Sequence, residues 1–189
     1  MFGCSLVDLD DDGDYDMVGR MLGWSSIYEV HLGFHMNNGT PGNAQFSAQE
    51  VDLFGTPELS GWDDWEIYNG MSIDAVDLDG DGDFDLVTHA RYAYGDNEDS
   101  DEYVEWYSPV IFLENMGNSS EPVFTTIEVN PFGLDLSVIA AEINESSAGL
   151  IASTFADIDA DGDFDLLGSF SDFGGAYVFF GCENIGSAT

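Results

Sequence analysis

The chain has 189 residues, of which 38 are acidic and 2 basic, for a formal net charge of −36. So acidic a surface argues against nucleic acid and anionic membranes as direct partners, because both are polyanions, and no segment legible for direct membrane insertion occurs. The 44% hydrophobic and 14% aromatic content argues equally against a chain disordered by composition.

In chain order, a short apolar strand leads into the acidic loop Asp8-Leu9-Asp10-Asp11-Asp12-Gly13-Asp14-Tyr15-Asp16. Tyr15 to Gly19 and Tyr28 to His35 read as strands, closed by a turn at Met36-Asn37-Asn38-Gly39. An aromatic and acidic cluster follows, Trp62-Asp63-Asp64-Trp65-Glu66. A second loop, Asp77-Leu78-Asp79-Gly80-Asp81-Gly82-Asp83-Phe84-Asp85, opens the strand Phe84 to His89. The run from Gly95 to Glu102 is so acidic that it reads as an exposed loop tip. Val110 to Glu114 is a strand ending at a second turn, Glu114-Asn115-Met116-Gly117. The third loop is Asp157-Ile158-Asp159-Ala160-Asp161-Gly162-Asp163-Phe164-Asp165, followed by a strand at Ala176 to Phe180 and the turn Glu183-Asn184-Ile185-Gly186.

The three loops share the pattern D-x-D-x-D-G-D-aromatic-D, and coordination chemistry explains its spacing. Ca²⁺ takes six to eight hard oxygen ligands, and alternate carboxylates on a tightly curled loop all point inward. The sixth position must turn sharply, which Gly13, Gly82 and Gly162 do at little steric cost. Side-chain ligands are expected at the first, third, fifth and ninth positions. They are Asp8, Asp10, Asp12 and Asp16; Asp77, Asp79, Asp81 and Asp85; and Asp157, Asp159, Asp161 and Asp165. Asp14, Asp83 and Asp163 are expected to offer their backbone carbonyls.

An EF-hand begins in the same way but needs a bidentate Glu at its twelfth position and a helix on each side. Here the twelfth positions are Gly19, Thr88 and Gly168, and the flanking segments carry β-branched and aromatic residues. Sixteen of the acids lie in the three loops, so the loops repel themselves without metal. At free calcium about ten times the dissociation constant, each bound ion would add roughly 1.4 kcal/mol of stability.

The first ligands, Asp8, Asp77 and Asp157, recur at about 70 to 80 residues, too long for a solenoid turn and suggestive of propeller blades. Loop and Asn-Gly turn together resemble the FG-GAP or VCBS repeats of integrin α-subunit propellers and many secreted microbial proteins. The resemblance implies an all-β fold of four-stranded antiparallel β-propeller blades, about two and three-quarter of them. Their expected bounds are residues 1–66, 67–146 and an incomplete 147–189. Closure would then need a larger ring of about seven blades. A fragment of a longer polypeptide is therefore expected, as is also suggested by the lack of a legible signal peptide.

Loops of this type suit millimolar calcium, so an extracellular, secreted or cell-surface location is expected. An acidic, lysine-free chain also fits a saline environment. Sequons stand at Asn38, Asn118 and Asn144. Cys4 and Cys182 lie in different units and are expected as buried thiols rather than a disulfide. No catalytic motif is legible: His31, His35 and His89 lack neighbours at zinc spacing, and no nucleotide-binding fingerprint occurs.

The expected function is a non-enzymatic, calcium-stabilised module for protein or glycan binding, adhesion or assembly. Two alternatives stand beside it. A lectin-like or carbohydrate-active enzyme carrying this propeller would use Trp62 and Trp65 to stack on sugar. A structural subunit of an extracellular filament or coat would complete its blades between chains by self-assembly.

Overall fold

The computed structural model describes residues 2–22, 30–57, 59, 66–68, 72–89, 91–94, 105–107, 109–134, 136, 149–171 and 177–183. Within them the protein is all-β and its strands pair antiparallel throughout. The first sheet is a meander of β1 (Phe2–Val7), β2 (Asp16–Leu22), β3 (Val30–His35) and β4 (Glu50–Val51). The middle sheet joins β6 (Ile73–Val76), β7 (Asp85–His89), β10 (Val110–Leu113) and β11 (Glu128–Val129) in that order. The third sheet is β12 (Gly149–Ala156), β13 (Asp165–Ser171) and β14 (Tyr177–Cys182). Each acidic loop connects the first two strands of its sheet, as the β-branched and aromatic flanks predicted.

A small fourth sheet, β5 (Glu66–Tyr68), β8 (Arg91–Tyr94) and β9 (Glu105–Tyr107), continues the middle one lengthwise. Val110 pairs with His89, and Tyr107 pairs with Tyr92, three residues back on one strand and three on along the other. β7–β8 and β9–β10 therefore form a long hairpin in one register. The acidic run 95–102, expected at its tip, lies outside the described residues, as does the cluster Trp62 to Trp65.

The sheets stack face to face, and strand alternation assigns each side chain to one face or the other. Leu86, Ile111 and Leu113 of the middle sheet join Val7, Val18, Leu32 and Phe34 of the first in one core. Val87, Val110 and Phe112, on the opposite face, join Leu166 and Phe170 of the third in another. Every residue of β7 and β10 is consequently buried. This is why Val-Ile-Phe-Leu in β10 is an unbroken apolar run with no polar alternation. The first strands of successive sheets are in contact, β1 with β6 and β6 with β12. A 3-10 turn at Leu53–Gly55 ties the first pair of sheets together, with Phe54 edge-on to Phe34 and its carbonyl accepting the Phe124 N–H at 2.9 Å.

Neither cysteine is in a disulfide, but only part of the expectation of buried thiols stands. Cys182 packs beside the second core, whereas Cys4 is exposed on the outward face of the first sheet.

Candidate metal centres

The loops curl because two of their positions take left-handed backbone. The sixth-position glycines have φ of 93°, 101° and 104° at Gly13, Gly82 and Gly162, as their spacing demanded. The fourth position was not anticipated: Asp11 (φ 56°), Gly80 (φ 81°) and Ala160 (φ 64°) are left-handed too. Only Gly80 adopts that conformation without strain.

Curling brings the first, third and ninth aspartates together. Asp8, Asp10 and Asp16 each offer an oxygen within 4.8 Å of the others, and so do Asp77, Asp79 and Asp85, and Asp157, Asp159 and Asp165. The described residues thus hold three acidic groups positioned to bind a metal ion. Backbone amides fix the first aspartate: Asp8 accepts the N–H groups of Asp12 and Gly13, both at 3.0 Å, and Asp77 those of Gly80 and Gly82 at 2.8 and 3.1 Å. In the third loop Asp157 accepts from Asp161 at 3.2 Å.

The fifth and seventh positions stand outside these triads. Asp12, Asp81 and Asp161 each turn one oxygen to the N–H of the seventh residue, at 2.9, 3.1 and 3.2 Å. The seventh side chain, which sequence reasoning assigned no role, points inward. Asp14 and Asp83 are more than nine-tenths buried, and Oδ1 of Asp14, of Asp83 and of Asp163 has no hydrogen-bond partner; Asp10 Oδ1 is in the same condition. A carboxylate oxygen withdrawn from water without a donor is costly, and a hard cation among these oxygens is the chemistry that would offset it. The residues present therefore fit a divalent ion.

The electrostatics of the carboxyls point the same way. Burial pushes the Asp85 carboxyl up to about 7, against the lowering effect of the Asn115 and Leu78 amides. Burial and then the adjacent Asp161 raise Asp163 to about 6. Asp10, Asp14, Asp16, Asp83 and Asp159 are all shifted upward, burial leading and nearby loop carboxylates adding to it. Each loop thus holds negative charge that its own protein surroundings do not compensate.

The ninth aspartate links the loop to the Asn-Gly turn, two landmarks that are separate in sequence. Asp16 accepts the Leu9 N–H through Oδ2 at 3.1 Å and the Asn37 N–H through Oδ1 at 2.7 Å. Asp85 repeats this with Leu78 at 3.1 Å and Asn115 at 2.9 Å. Both asparagines are buried and use Oδ1 to close their turns, Asn37 onto Gly39 and Gln45, Asn115 onto Gly117 and Val123. The glycine is required by proximity: a Cβ on Gly39 would overlap the carbonyl oxygen of Asn43, and one on Gly117 that of Glu121. The third turn, from Asn184, lies outside the described residues.

The histidines stand apart from these groups. His31 Nδ1 is 2.9 Å from an Asp52 oxygen, His35 Nδ1 lies 3.1 Å from the Ser47 carbonyl, and His89 Nδ1 is 3.1 and 3.3 Å from the Ser72 and Ser153 hydroxyls. None joins a metal-competent cluster among the described residues. Asn38 and Asn118 are exposed, while the third sequon at Asn144 is outside the described residues. No described helix is long and apolar enough to cross a membrane.

Comparison with known proteins gives no relative: no family model, no curated protein and no solved structure matches the chain.

Proposed function

We propose that the chain is a calcium-stabilised segment of a β-propeller, of the FG-GAP or VCBS kind its motifs resemble, serving an extracellular protein as a binding or assembly module. The observation that carries this reading is the buried, partnerless Oδ1 of the seventh aspartate, present in all three loops beside a triad of converging carboxylates. Ca²⁺ suits it better than Mg²⁺, because an all-protein cage of carboxylates on a flexible loop favours the larger ion, while Mg²⁺ keeps its water. The ion would be held by Asp8, Asp10 and Asp16, by Asp77, Asp79 and Asp85, and by Asp157, Asp159 and Asp165, with the fifth and seventh residues completing each shell.

Calcium here is structural. It would neutralise carboxylates that otherwise repel and lock each loop to the strands it joins. Extracellular calcium is abundant enough to fill sites of moderate affinity, which is the basis for placing the module outside the cell. Protein or glycan contact is the expected use of the remaining surface, a step that rests on fold-level analogy.

A thermal melt followed by circular dichroism, in calcium and in chelator with magnesium supplied, tests the proposal. A cooperative transition whose midpoint rises sharply with calcium is expected, with Asp79→Ala removing part of that rise. A midpoint indifferent to calcium would overturn it.

A further inference from the structure

The shared loop register allows positions of the three sheets to be compared. Val18, Val87 and Leu167 each stand two residues after the ninth aspartate, and Leu32, Val110 and Phe179 occupy matched positions on the third strand. In the first and middle sheets these residues are buried beneath the next sheet in order. In the third sheet Phe179 is 81% exposed and Leu167 37%. With Ala152, Thr154, Ser169 and Gly181 they make a strand face whose one charged residue, Asp165, is buried at the loop end, in a chain whose residues are 21% charged.

The first sheet shows the converse. Leu6 corresponds to Ala75 and Phe155, which pack against the preceding sheet, and Met17 to Leu86 and Leu166, which are buried against it. Leu6 is nonetheless 58% exposed, beside exposed Cys4 and half-buried Met17.

We infer that these two faces are the halves of one interface, and that the outward face of the third sheet takes the first sheet of a second copy of this chain. The inference rests on the proposed stack of like blades. Its physical basis is continuity: the contact would repeat the sheet-on-sheet packing already made twice inside the chain, with Phe179 and Leu167 meeting Leu6 and Met17. Asp165, 2% exposed, is the one carboxylate along the described strands of either face, so little of the large net charge opposes the contact locally. Because the two faces differ, association is head-to-tail, and growth continues until a ring closes or a filament forms.

Analytical ultracentrifugation of the full chain in calcium, over micromolar to near-millimolar concentration, is the test. Species larger than a dimer should appear as concentration rises. Phe179→Asp and Leu6→Asp, both at exposed positions, should each weaken self-association about a hundredfold, since either buries a carboxylate in an apolar contact. Mixed together they should form a one-to-one heterodimer that grows no further, because each retains the face the other has lost. Melts in calcium establish that both variants fold. A folded wild-type chain that stays monomeric overturns the inference, as does association untouched by Phe179→Asp or a mixture that fails to pair. Those outcomes leave the calcium reading standing. Conversely, a chain that melts and assembles alike with and without calcium removes the calcium reading and keeps the interface.

Discussion

The middle and third sheets begin identically, with an acidic loop whose first, third and ninth carboxylates converge and whose sixth residue is a left-handed glycine. They then diverge in what surrounds them. The middle sheet is enclosed on both faces, so every side chain of β7 and β10 is buried, whereas the third is covered on one face and presents Phe179 to solvent on the other. The same local chemistry thus builds the same loop in two settings, and the energetic weight of a residue depends on its neighbours in the stack. Asp85 shows the consequence within a loop: enclosed at the base of the middle sheet, its carboxyl is driven up to about 7.

The comparison breaks most readily through the cores. Phe112→Ala in the middle sheet should cost about 3–5 kcal/mol, read from urea unfolding in calcium. A loss under about 1 kcal/mol would mean that the sheet is not enclosed in solution. Next in size, Asp85→Ala leaves the buried amides of Leu78 and Asn115 without their acceptor and should cost roughly 2–3 kcal/mol. Calorimetric titration of that variant should also show one fewer calcium site. Retention of full stoichiometry would exclude Asp85 as a ligand.

Acidity sharpens the contrast without a mutation. Asp85 at about 7 and Asp74 at about 6, both raised chiefly by burial, bind protons in the folded chain at pH values where the unfolded chain has released them. Their contribution is therefore fully present below the ordinary carboxylate range and is lost as pH rises through about 6 to 7. In chelator, the melting midpoint should climb as pH is lowered from 8 to 5. With calcium bound the trend should reverse, since protons then compete with the ion; parallel profiles in the two conditions would separate these carboxylates from the metal.

Smaller effects address the loops and the open face. Ala160→Gly should stabilise the third loop by about 0.5–1 kcal/mol by relieving a left-handed alanine, bringing it to the state Gly80 gives the second loop. Phe179→Ala, matched in position to buried Val110, should change monomer stability by less than about 0.5 kcal/mol. A larger loss in dilute solution would show that Phe179 is already covered within one chain.

Sequence alone determined the loops, the glycine turns at Gly13, Gly82 and Gly162, and the strands that flank them. These depend on interactions among residues a few positions apart, and three copies of the pattern made them legible. Strand ends shifted by one to three residues, as where Phe84 stayed in the loop and β7 began at Asp85, and where β2 ran past Gly19 to Leu22. The inward turn of Asp14 and Asp83 had no such local signal, because Asp at the seventh position reads equally well as a solvated acid. Only the tertiary structure joined Asn37 to Asp16 and Asn115 to Asp85, amides brought from 21 and 30 residues away onto the acidic loop. Only it separated enclosed Val110 from exposed Phe179. Both are apolar strand residues whose alternation fixes a face, but whether that face meets another sheet or water is settled by the order in which the sheets stack.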